Sequence, residues 1–103
     1  MLTYANAVER LKNRTTKKLD NNTRLHRMDD KTVAVRLHDT DIITIHSNGT
    51  YTLNTGGWIT VTTVDRLNKY APGRFNRSKG SIVFTYGEGK QCLFQDGMQL
   101  RSS

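Results

Sequence analysis

Asp41-Ile42-Ile43-Thr44-Ile45-His46-Ser47-Asn48-Gly49-Thr50-Tyr51-Thr52-Leu53-Asn54 holds two alternating runs around a turn signal, the pattern of a β-hairpin. Loop length sets which residues face each other. A two-residue Asn48-Gly49 turn would place Ile45 opposite Thr52 and mix apolar with polar residues on both faces. A three-residue loop pairs Ile45 with Tyr51 and Ile43 with Leu53, which gives one apolar face. It also puts Gly49 at the left-handed position of a type I turn plus bulge.

The same rule extends in both directions along the chain. Around Gly87-Glu88-Gly89 it gathers Ile82, Phe84, Cys92 and Phe94 on one face and leaves Gly89 left-handed. Around Asp29-Asp30-Lys31 it joins Leu25 to Val33, Val35 and Leu37, with Lys31 left-handed at a small steric cost. Helical spacing marks a first helix near 3–14, with Thr3 as N-cap and Tyr4, Ala7, Val8 and Leu11 on one face. A second helix is predicted over 62–71, opened by Thr62-x-x-Asp65 and stopped by Pro72-Gly73. Residues 17–22 and 74–80 read as polar loops, and a short strand is expected at Met98 to Leu100. With hairpins throughout and no room for parallel crossovers, the class is α+β. The expectation is one domain over 1–103: an antiparallel sheet of five to seven strands with two short helices. Val33, Val35, Ile43, Ile45, Leu53, Phe84 and Phe94 are its predicted core, and Trp58 is expected to cap it after Gly56-Gly57 turns the chain.

The runs Leu37-His38-Asp39-Thr40-Asp41, Leu53-Asn54-Thr55-Gly56-Gly57-Trp58 and Thr62-Thr63-Val64-Asp65-Arg66-Leu67-Asn68-Lys69-Tyr70 carry a resemblance. They are similar to small proteins of tailed bacteriophages and marine viral metagenomes, over roughly residues 20–72. The resemblance implies a phage origin and expression in the cytoplasm of a bacterial host. It implies no activity, cofactor or catalytic residue, and the C-terminal third lies outside it.

Length and composition narrow the function classes. At 103 residues there is one modest core to fill. No run of about 18 apolar residues exists, so no membrane span is expected, and the N-terminus lacks the pattern of a signal peptide. A single cysteine makes no internal disulfide and fits a reducing cytoplasm. His38, Asp39, Asp41 and His46 fall within nine residues, but His38 and His46 are about 25 Å apart on an extended strand unless the chain bends. Turn residues and a surface histidine explain them better than a metal site. Cys92, expected on the apolar face beside Phe84, is read as an inert thiol. Gly56-Gly57 lacks the lysine and hydroxyl residue of a phosphate loop. The chain is therefore read as non-enzymatic, with no catalytic residue, cofactor or metal.

Charge is the feature that rises above background. Sixteen Lys+Arg against nine Asp+Glu give +7, and the excess falls in two acid-free clusters. The first holds Arg10, Lys12, Arg14, Lys17 and Lys18; the second holds Arg66, Lys69, Arg74, Arg77 and Lys79, with Tyr70 and Phe75 interleaved. Cations that share a face neutralise phosphates, and an interleaved ring stacks on a base. The leading expectation is contact with DNA or RNA without strong sequence preference through Arg10, Arg14, Lys17, Lys18 and the second cluster. Its rival is a factor that binds and inhibits a host bacterial protein.

Overall fold

The structure, a computed structural model, describes residues 1–101. Its elements run α1 (Tyr4–Leu11), β1 (Thr16–Asp20), β2 (Thr23–Asp29), β3 (Thr32–Leu37), β4 (Thr40–His46) and β5 (Thr50–Leu53). Then come α2 (Val61–Tyr70), β6 (Arg74–Ser78), β7 (Ser81–Tyr86), β8 (Lys90–Leu93) and β9 (Gln99–Arg101). Antiparallel hairpins build a six-stranded sheet in the order β1-β2-β3-β4-β5-β9 and a three-stranded sheet in the order β6-β7-β8. The class is α+β, with more strands than the five to seven expected and two sheets where one was expected.

The hairpin register follows the apolar pattern. Ile45 lies opposite Tyr51 and Ile43 opposite Leu53, and Gly49 has φ +88°. Phe84 lies opposite Cys92, and Gly89 has φ +91°. At the Asp29-Asp30-Lys31 turn the facing also holds, with Leu25 opposite Val35. The turn itself differs, however. Lys31 does not take a left-handed conformation; Asp29 pairs with Thr32 after a register shift past Arg27. The Asp29 carboxylate accepts the Lys31 N–H at 2.8 Å and tightens the turn without a positive φ.

Two predicted loops are strands. β1 occupies most of 17–22; it is an edge strand held by pairing with β2, and one half-buried apolar residue, Leu19, gives it little pattern of its own. β6 occupies most of 74–80 and closes on β7 through Lys79-Gly80, whose φ values of +51° and +77° make the turn type that matches strand twist. Only Phe75 on β6 is buried, so alternation is nearly invisible in the sequence. Helix boundaries also move. α1 ends at Leu11 because Lys12 turns to φ +53°, whereas Thr3 caps it as expected by accepting the Asn6 N–H at 3.1 Å. The cap of α2 is Thr60, which accepts the Thr63 N–H at 3.2 Å, not Thr62. Asp65 is thereby released for ion pairs.

The core lies between the inner face of the large sheet and the two helices. Leu25, Val33, Val35, Ile43, Ile45, Tyr51 and Leu53 meet Ala7 and Leu11 of α1 and Leu67 of α2. The small sheet adds Phe75 and Phe84, whose ring centroids are 5.1 Å apart. Asn68 on α2 grips β6 like a neighbouring strand, accepting the Phe75 N–H and donating to the Phe75 carbonyl, both at 2.8 Å. At Gly73, between α2 and β6, an added Cβ would lie 2.2 Å from the Phe84 ring at φ +97°, so only glycine fits. Phe94 is half-buried rather than buried, Cys92 is exposed, and Trp58 is 67% exposed, so it does not cap the core.

Truncating Phe84 to Ala should cost about 3–5 kcal/mol. Chemical denaturation of the variant measures it, and an unchanged midpoint would remove Phe84 from the core.

Candidate nucleic-acid interface

Ion pairing takes up two members of the second cluster, Arg66 and Lys69, while Arg74, Arg77 and Lys79 are exposed and make no ion pair among the described residues. Arg66 of the second is 8% exposed, and its Nε donates to the Thr23 hydroxyl at 2.8 Å. Its Nη atoms reach the Asn21 carbonyl at 3.3 Å, Asp20 at 3.6 Å, and the carboxylate of Asp65. Lys69 bonds Asp20 at 2.7 Å and lies 3.5 Å from Asp65. These two cations balance two carboxylates and fasten α2 to the β1–β2 turn. Arg74 and Arg77 leave β6 on opposite faces, since they sit three positions apart on one strand. Lys79 is in the turn beyond. Tyr70 is half-buried at the end of α2, and its carbonyl accepts the Leu2 N–H at 2.9 Å. Phe75 is 1% exposed and fills the core, so it is not at the surface to stack on a base.

The first cluster keeps its charges. Among the described residues, Arg10, Lys12, Arg14, Lys17 and Lys18 make no ion pair. They run from the end of α1 into β1, the edge strand of the large sheet. Arg27 of β2 binds that connection, donating its backbone N–H to the Thr15 carbonyl at 2.8 Å and its guanidinium to the Lys12 carbonyl at 3.3 Å.

On the outer face of the sheet the register makes a cationic row. Lys18 lies directly opposite Arg24, and Arg24 directly opposite Arg36. All three are exposed. Like charges directly opposite destabilise a sheet, and among the described residues only Arg36 of the three has a carboxylate, Asp41, at 2.9 Å. His26 also reaches Asp41 at 2.8 Å, from β2 to β4 across the intervening β3, where Ala34 is the small, buried residue opposite His26. Burial pushes the Asp41 carboxyl up, but the hydrogen bonds from Arg36 and His26 outweigh it and hold it below its ordinary value.

A model of the family described as Kyanoviridae Gp96 protein matches residues 3–100. The chain belongs to that family. Membership makes it a tailed-phage protein and assigns no activity; the match runs through the C-terminal third, beyond the 20–72 span of the resemblance. No curated protein and no solved structure matches it.

The remaining candidate residues of this Gp96-family chain are spread out. His38 and Asp39 sit in the β3–β4 turn, Asp41 is held by His26 and Arg36, and His46 ends β4 and bonds the Thr52 hydroxyl at 3.1 Å. Among the described residues no three metal-ligating side chains converge. The Gly56 and Gly57 N–H groups donate to the side-chain oxygens of Asn54 and Thr55, each at 3.2 Å, so they point at no external anion. No helix of the described residues is long and apolar enough to cross a membrane. Sequence reasoning missed Arg24 and Arg36 because each stands alone outside the clusters. A signal existed: Arg-Leu-His occurs at 24–26 and again at 36–38, and pairing brings the two arginines face to face.

Arg66→Met should destabilise the Gp96-family fold by roughly 1–3 kcal/mol, because the Thr23 hydroxyl and the Asn21 carbonyl keep only their bond to each other at 2.9 Å and Asp20 and Asp65 lose the guanidinium. Arg14→Gln should stay within about 0.5 kcal/mol, since an exposed side chain contributes little; urea denaturation of the two variants separates a structural from a free arginine. Acid supplies a second check. The Lys69 ammonium and the Asn21 N–H hold the Asp20 carboxyl below its ordinary 3.8. A carboxyl depressed on folding stabilises the native state fully above its unfolded value and loses that contribution as pH falls through the folded one. Thermal midpoints should therefore fall as pH drops below about 4, and Asp20→Asn should remove part of that fall.

Proposed function

We propose that this phage protein is a non-enzymatic accessory factor that binds nucleic-acid phosphates on the outer face and β1 edge of its large sheet, without strong sequence preference. The single observation that carries the reading is the row Lys18–Arg24–Arg36, three cations facing each other directly across three strands. A sheet that aligns like charges carries an electrostatic cost in the free protein, and a phosphate backbone laid along the row relieves it. Lysines on an edge strand also discourage pairing with other sheets, but that role calls for no arginines on β2 and β3. Arg10, Lys12, Arg14 and Lys17 extend the field beyond the row, and among the described residues they have no ion pair that would have to break. The working compartment is the host cytoplasm, where both DNA and RNA are within reach.

The expected behaviour is electrostatic. Each phosphate contact contributes a slope of about −0.7 to −0.9 in log K against log salt, so five or so contacts lose on the order of a hundredfold or more in affinity between 50 and 200 mM. The triple variant Arg14→Gln, Lys18→Gln, Arg24→Gln should flatten the slope by about 2 to 3 units. Changing Arg77, on the small sheet, should leave it nearly unchanged. Fluorescence anisotropy with single- and double-stranded DNA and RNA measures both. Absence of binding at about 50 mM salt would overturn the reading in favour of a host protein as partner.

A further inference from the structure

The end of the large sheet where the β1–β2 and β3–β4 turns meet carries two adjoining grooves. The His38 N–H donates to the Asn22 carbonyl at 2.8 Å and ties these turns together. One groove, of about 330 Å³, is basic and lined by Lys18, Arg24, Arg36 and His38. Its one carboxylate, Asp20, is taken up by Lys69 and Arg66. The other, of about 480 Å³, is lined by Leu37, Ile42 and Trp58 with a ring of threonines, and by Asp39 and again His38 at the turn. His38 is thus the shared wall between a cationic groove and one bordered by an indole.

Trp58 is exposed above a hydrogen-bonded turn. Thr55 donates its N–H and its hydroxyl to Asp96, both at 2.8 Å, and its carbonyl accepts the Trp58 N–H at 3.1 Å. Gly56 packs so close to Thr40 that an added Cβ would lie 2.6 Å from the Thr40 hydroxyl, at φ +64°. These contacts fix the backbone that carries the exposed indole, and a base presents a flat ring that can cover it.

We infer that the two grooves together take single-stranded nucleic acid, with backbone phosphates on Lys18, Arg24 and Arg36 and an unpaired base stacked on Trp58. This rests on the phosphate-binding reading above and adds strand selectivity to it. Bases inside a duplex are stacked on each other and offer no free face, whereas an unpaired base does. DNA and RNA single strands share this chemistry.

Trp58 is the only tryptophan, so its emission reports the contact directly. Short oligodeoxythymidine and oligouridine should each bind and quench it, and whichever binds more tightly identifies the sugar preferred. Inorganic polyphosphate, which has the charge without bases, should bind without quenching. Trp58→Ala should weaken oligonucleotide binding by roughly tenfold or more and leave polyphosphate binding unchanged; Trp58→Phe should recover part of the loss. Circular dichroism melts of the variants check folding, and quenching of the unsubstituted protein does not depend on them. Saturated oligonucleotide binding with unchanged emission, or an equal loss for polyphosphate in Trp58→Ala, would overturn the stacking inference while phosphate binding stands. Failure of oligonucleotides and polyphosphate alike to bind would overturn both.

Discussion

The buried guanidinium of Arg66 is the joint on which the two halves of this protein meet. It leaves α2 and ends against the β1–β2 turn, on the Thr23 hydroxyl at 2.8 Å and the Asn21 carbonyl at 3.3 Å, with Asp65 and Asp20 around it. A buried charge is tolerable only when it is paired and its hydrogen bonds are filled, and here the partners come from two elements far apart in sequence. α2 is therefore locked in one position over the sheet. The small sheet follows it, because Asn68 on the same helix holds β6 by both backbone groups of Phe75. The chain then returns: Gly97 and Met98 bond Leu53, at 2.7 and 2.9 Å, and β9 pairs with β5 on the large sheet.

That joint also divides the positive charge by role. Arg66 and Lys69 neutralise Asp20 and Asp65, so they hold the fold together and contribute little field to the outside. The cations between the end of α1 and β1 have no such partners among the described residues; Lys18 shares the outer face of the large sheet with Arg24 and Arg36, whereas Lys17, opposite Leu25, lies on the inner side of the edge strand. Part of the net charge of +7 is thus spent in the joint, and part stays exposed, with Lys18, Arg24 and Arg36 aligned on the large sheet and Arg74, Arg77 and Lys79 on and beyond β6. The same end of the sheet gathers the turns that border both grooves, since antiparallel hairpins place the β1–β2 turn, the β3–β4 turn and the exit from β5 together.

Local chemistry was legible where it is self-contained. The hairpin facing of Ile43, Ile45, Tyr51 and Leu53, the left-handed Gly49 and Gly89, and the Thr3 cap each depend on residues close in sequence. So do both helices, apart from their ends, and the α+β class that follows from the order of elements. The burial of Val33, Val35, Ile43, Ile45, Leu53 and Phe84 follows from the same alternation.

What the chain decides by itself is periodicity, and periodicity names the inner face of each hairpin. Only tertiary structure decided that polar segments 16–20 and 74–78 become strands, because an edge strand is held by its neighbour's hydrogen bonds rather than by its own apolar pattern. Tertiary structure also decided which cations are paired: among the described residues Arg66 and Lys69 are and Arg14 and Lys18 are not, a difference that arises only where α2 meets the β1–β2 turn. It reversed the two aromatic assignments, burying Phe75 under Phe84 and leaving Trp58 in the open. The reason is common to all of these. Exposure and ion pairing are properties of surfaces that come together from distant parts of the chain, and sequence spacing carries no information about which surfaces meet.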